Sequence, residues 1–346
     1  MLAHQDVVLA IKLTLNREPK GDEEISRLAK SGSLKALRIA LLEILQRESP
    51  VLGESDLYKT YRAPLFLLSP PMHDIPWRLS PPNLTDPVTQ LCTYGQVISD
   101  EYANICAELQ VKPRPHRKQW EFVWIIATLR KAGMLSPGRR LLGFGCGQEM
   151  LPAYFASHGA VVLATDAPPE IVAPGWTKTK QYSESIDPLF KPRLIKRDIF
   201  DQLVSFRHAD MNNLPDDVPS FDACWSACAL EHLGSLRHGM DFIRNSLKCL
   251  NAGGIAVHTT EFNLSSNEET FENSRLSIYR MKDIVLLLNE LREEGHEVWP
   301  LNLHPGDQML DEVIDLPPRS PIHLKLLLKN KFVTTSIGIV VRKKVN

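Results

Sequence analysis

Apolar positions change their spacing twice along this chain. Over residues 1–48 they recur at helical intervals: Val7, Val8, Ile11 and Leu15, then Leu34, Leu37, Ile39, Leu41, Leu42 and Leu45. Steps of three and four residues put each set on one helix face. Between the sets, Glu18-Pro19-Lys20-Gly21-Asp22 breaks the pattern and offers Asp22 as an N-cap. A small helical module of two or three helices is predicted. Residues 50–90 then carry eight prolines, paired at Pro70-Pro71 and Pro81-Pro82. Proline fixes φ and lacks a backbone donor, so neither a long helix nor an inner strand is expected there. Residues 49–114 read as a connector able to fold over a site as a lid. Helical spacing returns over 98–134, where Trp120, Trp124, Ile125 and Leu129 are placed to pack on something large.

From residue 139 short apolar runs alternate with helical stretches. Strands are predicted at Leu141–Phe144, Ala160–Asp166, Val204–His208, Phe221–Ser226, Gly254–Thr259, His296–Leu301 and Val333–Val341. Helices are predicted at Leu151–His158, Leu236–Leu250 and Met281–Glu294. Strand-helix alternation means a mainly parallel sheet covered on both faces, an α/β fold. The last two strands, joined by a long loop without a helix, predict an antiparallel hairpin at the sheet edge.

Composition narrows the function classes. With 40 Lys plus Arg against 41 Asp plus Glu, the formal charge of the 346 residues is -1. That gives no general attraction to nucleic acid or to an anionic membrane. The longest apolar run, Phe122 to Leu129, is less than half of the roughly 20 residues that a spanning helix needs. Gln5 and Asp6 precede a short apolar run ending at Lys12, so the N-terminus does not read as a secretory signal. Cys92, Cys106, Cys146, Cys224, Cys228 and Cys249 form no CxxC pair. They read as reduced thiols of a cytoplasmic protein.

The candidate chemistry starts at Leu141-Leu-Gly-Phe-Gly-Cys-Gly-Gln-Glu149. Gly143, Gly145 and Gly147, between a strand and a helix, allow close backbone approach to a ligand. The third glycine of GxGxxG is missing, which disfavours a pyrophosphate and hence NAD or FAD. A GK[ST] phosphate loop is absent too. S-adenosylmethionine (SAM) has no phosphate and fits such a turn. It asks for an acid ending the second strand, met by Asp166, and a polar group after the third, met by Asp210 with Met211 beside the adenine.

In these pieces, LLGFGCG, ATD, ADMNNLP, FDACWSACALEHL and LNAGGIAVHTTEFN, the chain resembles the class I SAM-dependent methyltransferase family over roughly residues 115–342. The resemblance implies a Rossmann-like seven-stranded sheet, SAM as cofactor and S-adenosylhomocysteine (SAH) as product. It implies cofactor contacts from Gly143, Gly145, Cys146, Gly147, Asp166, Asp210, Met211 and Ser226 within a domain over 115–346. Two positions depart from it. The family usually has an acid where Gly143 stands, for the methionine amine, and often a glycine where Glu149 stands. The methionine end must then be held otherwise, by Glu149 or by the HRKQW segment at 116–120.

Acceptors approach over the ends of the fourth and fifth strands in this architecture. There His232 is the first candidate for general base and His258 the second, with Glu231 or Glu261 orienting the imidazole or binding acceptor hydroxyls. Tyr94, His116, Trp120 and the loop from Asn302 to His323 are placed to cover the site. Lys178 and Lys180 form a mild basic pair. The ALEHL and TEFN segments also resemble metal-dependent 2′-O-methyltransferases of small RNAs and, in part, O-methyltransferases of ubiquinone biosynthesis. Cys228 stands where their ExxEH pattern has its first Glu, so no metal is expected. The "NREP" turn resembles one in helical modules that accompany bacterial surface-glycan enzymes. The expected function is therefore SAM-dependent O-methylation of a small molecule or of a sugar of a bacterial glycan. The alternatives are a metal-dependent RNA 2′-O-methyltransferase and a non-catalytic SAM-binding regulator. Residues 1–48 are open to a protein partner.

Overall fold

The computed structural model describes residues 2–15, 17–48, 60–172, 182–215, 217, 220–316 and 320–345. Lys178, Lys180, Arg319 and the side chains of Leu42 and Leu45 lie outside the described residues. One mixed sheet organises the molecule. Its strands run in the order Leu301–Asn302, Thr89–Leu91, Phe332–Arg342, Leu250–Asn263, Phe221–Ala227, Arg140–Phe144, Val161–Asp166, Val204–His208. The strands from Leu250–Asn263 to Val204–His208 are mutually parallel. Phe332–Arg342 runs antiparallel to Leu250–Asn263, with Ser336 opposite Glu261 and Ile339 opposite His258. This is the Rossmann-like order with its antiparallel C-terminal strand.

Alternate residues of each strand feed two cores, as the two-residue period of a pleated strand requires. Leu141, Val162, Trp225 and Val257 join Trp120, Trp124, Ile125, Leu129 and Phe155 on one face. Leu142, Cys224, Ala256 and Ile339 join Phe242, Ile243, Leu287 and Leu288 on the other. Helices Arg117–Lys131 and Leu151–Ser157 cover the first face, Leu236–Ser246 and Met281–Glu293 the second. Trp120 and Trp124 are fully buried, stacked at 5.7 Å, and Trp120 Nε1–H donates to Gln96 Oε1 (2.9 Å). Trp120 is therefore core and not part of a lid. Tyr94 is also buried.

Three departures from the pattern have local causes. Thr89–Leu91 is an inner strand, paired with Leu301–Asn302 on one side and Phe332–Arg342 on the other. The prolines stop at Pro87, just before it, so its donors are intact. The connector thereby becomes part of the sheet. Pro300, lacking an N–H, splits the expected strand His296–Leu301 into Glu297–Val298 and Leu301–Asn302. Short strands at Ile314–Asp315 and Lys325–Leu328 occupy ground read as loop.

Residues 1–48 form helices His4–Leu15, Asp22–Ala29 and Leu34–Glu48 around Val7, Ala10, Ile11, Leu28, Leu37 and Leu41. Asp22 is the first helical residue, and Gly21 takes the N-cap position. The module docks on the chain's own loop: Met309 packs against its core, and buried Arg38 pairs with Glu312. That loop is clamped by Lys325, whose ammonium donates to Pro305 O (2.8 Å) and Asp311 O (2.5 Å). Among the described residues no helix is long and apolar enough to cross a membrane.

Candidate active site

The glycine turn lies where the loops after three strands meet. Gly145 (φ 59°) and Gly147 (φ 52°) occupy the left-handed region, which side chains rarely adopt. A Cβ on Gly145 would sit 2.8 Å from Ala229 Cβ and 3.4 Å from Met211 Sδ, so these loops close directly over the turn. Asp166 ends the neighbouring strand and is buried. Its Oδ2 accepts the N–H groups of Gly147 (3.0 Å) and Ser183 (2.9 Å), and its Oδ1 accepts that of Ala167 (2.8 Å). Burial raises its pKa, opposed by those three donors. Asp210 is partly exposed and takes the Asn212 N–H (2.9 Å), while Met211 is buried. Cys146 is buried in the turn, with its thiol pushed up by burial. The structure thus gathers Gly145, Cys146, Gly147, Asp166 and Met211 at one place, with Asp210 next to Met211.

Packing also constrains Gly143. It pairs across the sheet with Trp225, and any Cβ on it would collide with the Trp225 ring and Cys146 Sγ. The indole fills the space that a side chain at 143 would need, and its Nε1–H donates to Glu149 Oε1 (2.7 Å). Gly143→Ala is expected to lower unfolding stability by about 1–3 kcal/mol through overpacking, read as a lower urea midpoint. An unchanged midpoint would mean that the indole is not held there.

Over the ends of the central strands sits a buried ionic cluster that sequence reasoning largely missed. Arg117, first residue of its helix, pairs through Nη2 with Glu261 Oε2 (2.6 Å) and donates through Nη1 to Ser336 Oγ (3.1 Å). Glu121, one turn on and fully buried, accepts from Ser336 Oγ and from Cys228 Sγ (2.9 Å). Its Oε2 has no hydrogen-bond partner, and Lys118 Nζ stands 3.7 Å away. Burial disfavours the Arg117 charge, but Glu261, Cys228 and Glu121 outweigh it and raise its pKa. Glu261 also accepts from Thr334 Oγ1, and buried Glu231 accepts from Thr260 Oγ1 (3.1 Å). In this structure both glutamates are engaged by partners within the chain. The HRKQW segment at 116–120 was the one sequence clue to this cluster, since it carries Arg117 and Lys118.

The histidines separate clearly. His258 is buried between Ser226 Oγ (2.8 Å from Nδ1) and Ser246 Oγ (3.2 Å from Nε2), against Phe242. Burial lowers its pKa to about 3. His258 is a core residue with both ring nitrogens engaged, one of them by Ser226, which argues against a general-base role. A histidine buried neutral stabilises the fold fully above its unfolded pKa near 6.5 and loses that contribution as pH falls towards 3. Wild-type stability is expected to fall by roughly 1.4 kcal/mol per pH unit through this group between pH 6 and 4. In His258→Asn that part of the slope should vanish in urea titrations; an unchanged slope would contradict it.

His232, partly exposed, places Nδ1 2.7 Å from the Arg275 carbonyl, an arrangement in which Nδ1 donates. A second histidine group was missed. His323 Nδ1 lies 2.6 Å from Asp315 Oδ2, and its ring packs on His116 at 4.6 Å. His116 caps helix Arg117–Lys131 by accepting the Lys118 N–H (3.2 Å), and its pKa is lowered to about 4 by burial and by His323. Asp315 and His323 are eight residues apart on the long loop, a pairing that no periodicity reveals. Among the described residues no three His, Cys, Asp or Glu side chains are grouped so as to hold a metal ion.

An open parallel sheet with a glycine turn and an acid at the ends of adjacent strands is a site of the nucleotide-binding α/β class. Residues 142–258 match the model of the methyltransferase domain family. That segment, about a third of the chain, is similar to a methyltransferase domain. A demethylmenaquinone methyltransferase from Clavibacter sepedonicus is 30% identical over 135 residues, 39% of this chain and 46% of that protein. The chain therefore spans about half the length of that curated relative. A SAM-dependent methyltransferase structure from Mesorhizobium loti is 14% identical, covering 64% of this chain and 98% of its own, with a TM-score of 0.41. A Burkholderia thailandensis 1,6-didemethyltoxoflavin N1-methyltransferase, solved with 1,6-didemethyltoxoflavin and SAH bound, is 16% identical over 66% and 78% of the two chains, with a TM-score of 0.38.

Proposed function

We propose that this protein is an active SAM-dependent methyltransferase that methylates a hydroxyl of a small molecule or of a sugar of a bacterial glycan. The observation that carries the cofactor reading is the convergence of Gly145, Gly147, Asp166 and Met211 on one turn, within the segment that matches the family. Asp166 receives the ribose hydroxyls, Met211 packs on the adenine, and Asp210 meets its exocyclic amine. SAM, when bound, supplies an electrophilic methyl group on sulfur. The chain's task is to align the acceptor oxygen and remove its proton. His232 Nε2 takes that proton, with Nδ1 fixed by the Arg275 carbonyl. His323 is the competitor, because Asp315 orients it in the same way. The six cysteines are all free, which suits a reducing, cytoplasmic setting.

The test is release of SAH from SAM in the presence of catechol, methyl glycosides and a reduced naphthoquinone, the last offering a ring carbon as acceptor. Turnover with a hydroxyl acceptor that falls at least 100-fold in His232→Ala supports the reading. Methylation of the quinone ring alone would move the chemistry to carbon. Loss in His323→Ala with His232→Ala intact would transfer the base to His323.

A further inference from the structure

Two stretches of the chain carry positive charge and none of the opposite sign. Residues 110–118 contain Lys112, Arg114, Arg117 and Lys118 and no carboxylate; residues 191–197 contain Lys191, Arg193, Lys196 and Arg197 and no carboxylate. The fold joins them, because Gln110 Nε2 donates to the Arg193 carbonyl (2.6 Å). Their backbones are pinned from beneath. Gln119 donates to the Lys112 carbonyl (3.0 Å) and accepts the Arg114 N–H (2.6 Å), while Tyr102 Oη donates to the Arg114 carbonyl (3.2 Å). In the second stretch Lys191 Nζ donates to the Pro188 carbonyl (2.6 Å), and Leu194 and Ile195 pack into the core. Arg117 and Lys118 are answered by Glu261 and Glu121, and Arg197 by Asp187 and Asp201. Lys112, Arg114, Arg193 and Lys196 are exposed and enter no ion pair among the described residues. Residues 173–181, outside the described ones, contain no Asp or Glu. Both stretches lead to the glycine turn. The first ends at the ionic cluster over the strand ends, and the second follows Tyr182 and Ser183, bonded to Gln148 (3.3 Å) and Asp166 (2.9 Å).

We propose that Lys112, Arg114, Arg193 and Lys196 form a docking site for a phosphate-bearing ligand on the flank of the glycine turn. Like charges fixed on pinned backbone repel one another in the free protein, and a multiply charged anion relieves that repulsion. Phosphate suits the set better than a lone carboxylate, since it carries more charge and takes the planar fork of Arg and the point charge of Lys together. The near-zero formal charge of the whole chain does not oppose this, because the excess is local and its counter-charges lie elsewhere. On the methyl-transfer reading, on which this last step rests, the ligand is the acceptor: its phosphate is held on the flank while its hydroxyl reaches over the strand ends.

The purified protein is titrated calorimetrically with inorganic pyrophosphate, and with malonate as the carboxylate control. Pyrophosphate should bind, and malonate should bind about tenfold more weakly. In the double variant Arg114→Ala/Arg193→Ala, whose backbone anchors remain, pyrophosphate affinity should fall by about tenfold. Lys248→Ala, which removes an exposed cation elsewhere, should leave it within about twofold. Saturating SAH should also leave it within about twofold, because the patch lies beside the turn and not in it. Absence of pyrophosphate binding to the folded protein, equal affinity in the double variant, or displacement by SAH would overturn the proposal. So would a single-stranded oligonucleotide that binds and that pyrophosphate does not displace, which would assign the patch to nucleic acid. Pyrophosphate binding without any SAH binding would keep the docking site and overturn the cofactor reading instead.

Discussion

Asp166→Ala is expected to lose SAH binding by at least 100-fold while the protein stays folded. Two effects add. On the proposed reading the variant removes the acceptor for two ribose hydroxyls, and hydrogen bonds to a charged group contribute about 1.5–3 kcal/mol each. It also releases the amides of Gly147, Ala167 and Ser183, which the carboxylate now holds in three directions. The turn then loses the preorganisation that lets its backbone approach the ligand. Asp166→Asn retains one carbonyl oxygen and should fall between the two, with a loss of about tenfold. Calorimetric titration of the three proteins gives the ranking, and amide exchange at Gly147 reports the turn itself. Equal affinity in all three would mean that the carboxylate serves only the backbone.

Breaking the buried cluster should have the largest effect on stability. Arg117→Met leaves Glu261 and Glu121 buried without their counter-charge, a loss of about 3–5 kcal/mol. The methionine replaces the stem but none of the bonds to Glu261 and Ser336. Glu121→Gln should behave in the opposite sense. Its Oε2 already lacks a hydrogen-bond partner, so removing the charge relieves a buried carboxylate and should change stability by less than about 1 kcal/mol. Urea unfolding at pH 7 measures both. A small loss in Arg117→Met would show that the cluster is hydrated and open, and hence screened.

The sheet was legible because its strands carry a two-residue period that separates Leu141 from Leu142 and Trp225 from Cys224 onto opposite cores. The glycine turn and Asp166 were legible for the same reason, since both sit at strand ends that the pattern locates. What pattern does not carry is the direction of a polar side chain at such an end. His258 and Glu261 lie on strand Leu250–Asn263, near the end where a base and its partner would stand, yet Ser226 and Ser246 draw the one into the core and Arg117 draws the other. Arg117 comes from a helix more than a hundred residues earlier, and Asp315 meets His323 across a loop. Thr89–Leu91 was hidden by its proline-rich neighbourhood, which describes the residues before it and not the three that pair. Gly143 was read with Gly145 and Gly147 as allowing close backbone approach to a ligand, and the sequence does not reveal that a tryptophan on the adjoining strand also dictates its size.

The central claim is that the turn after strand Arg140–Phe144 binds SAM. Calorimetric titration of the purified protein with SAH, and with NAD as control, tests it most directly. Micromolar binding of SAH with no heat from NAD is the expected result. Binding of NAD in place of SAH, or no binding of SAH to protein shown to be folded by circular dichroism, would contradict it.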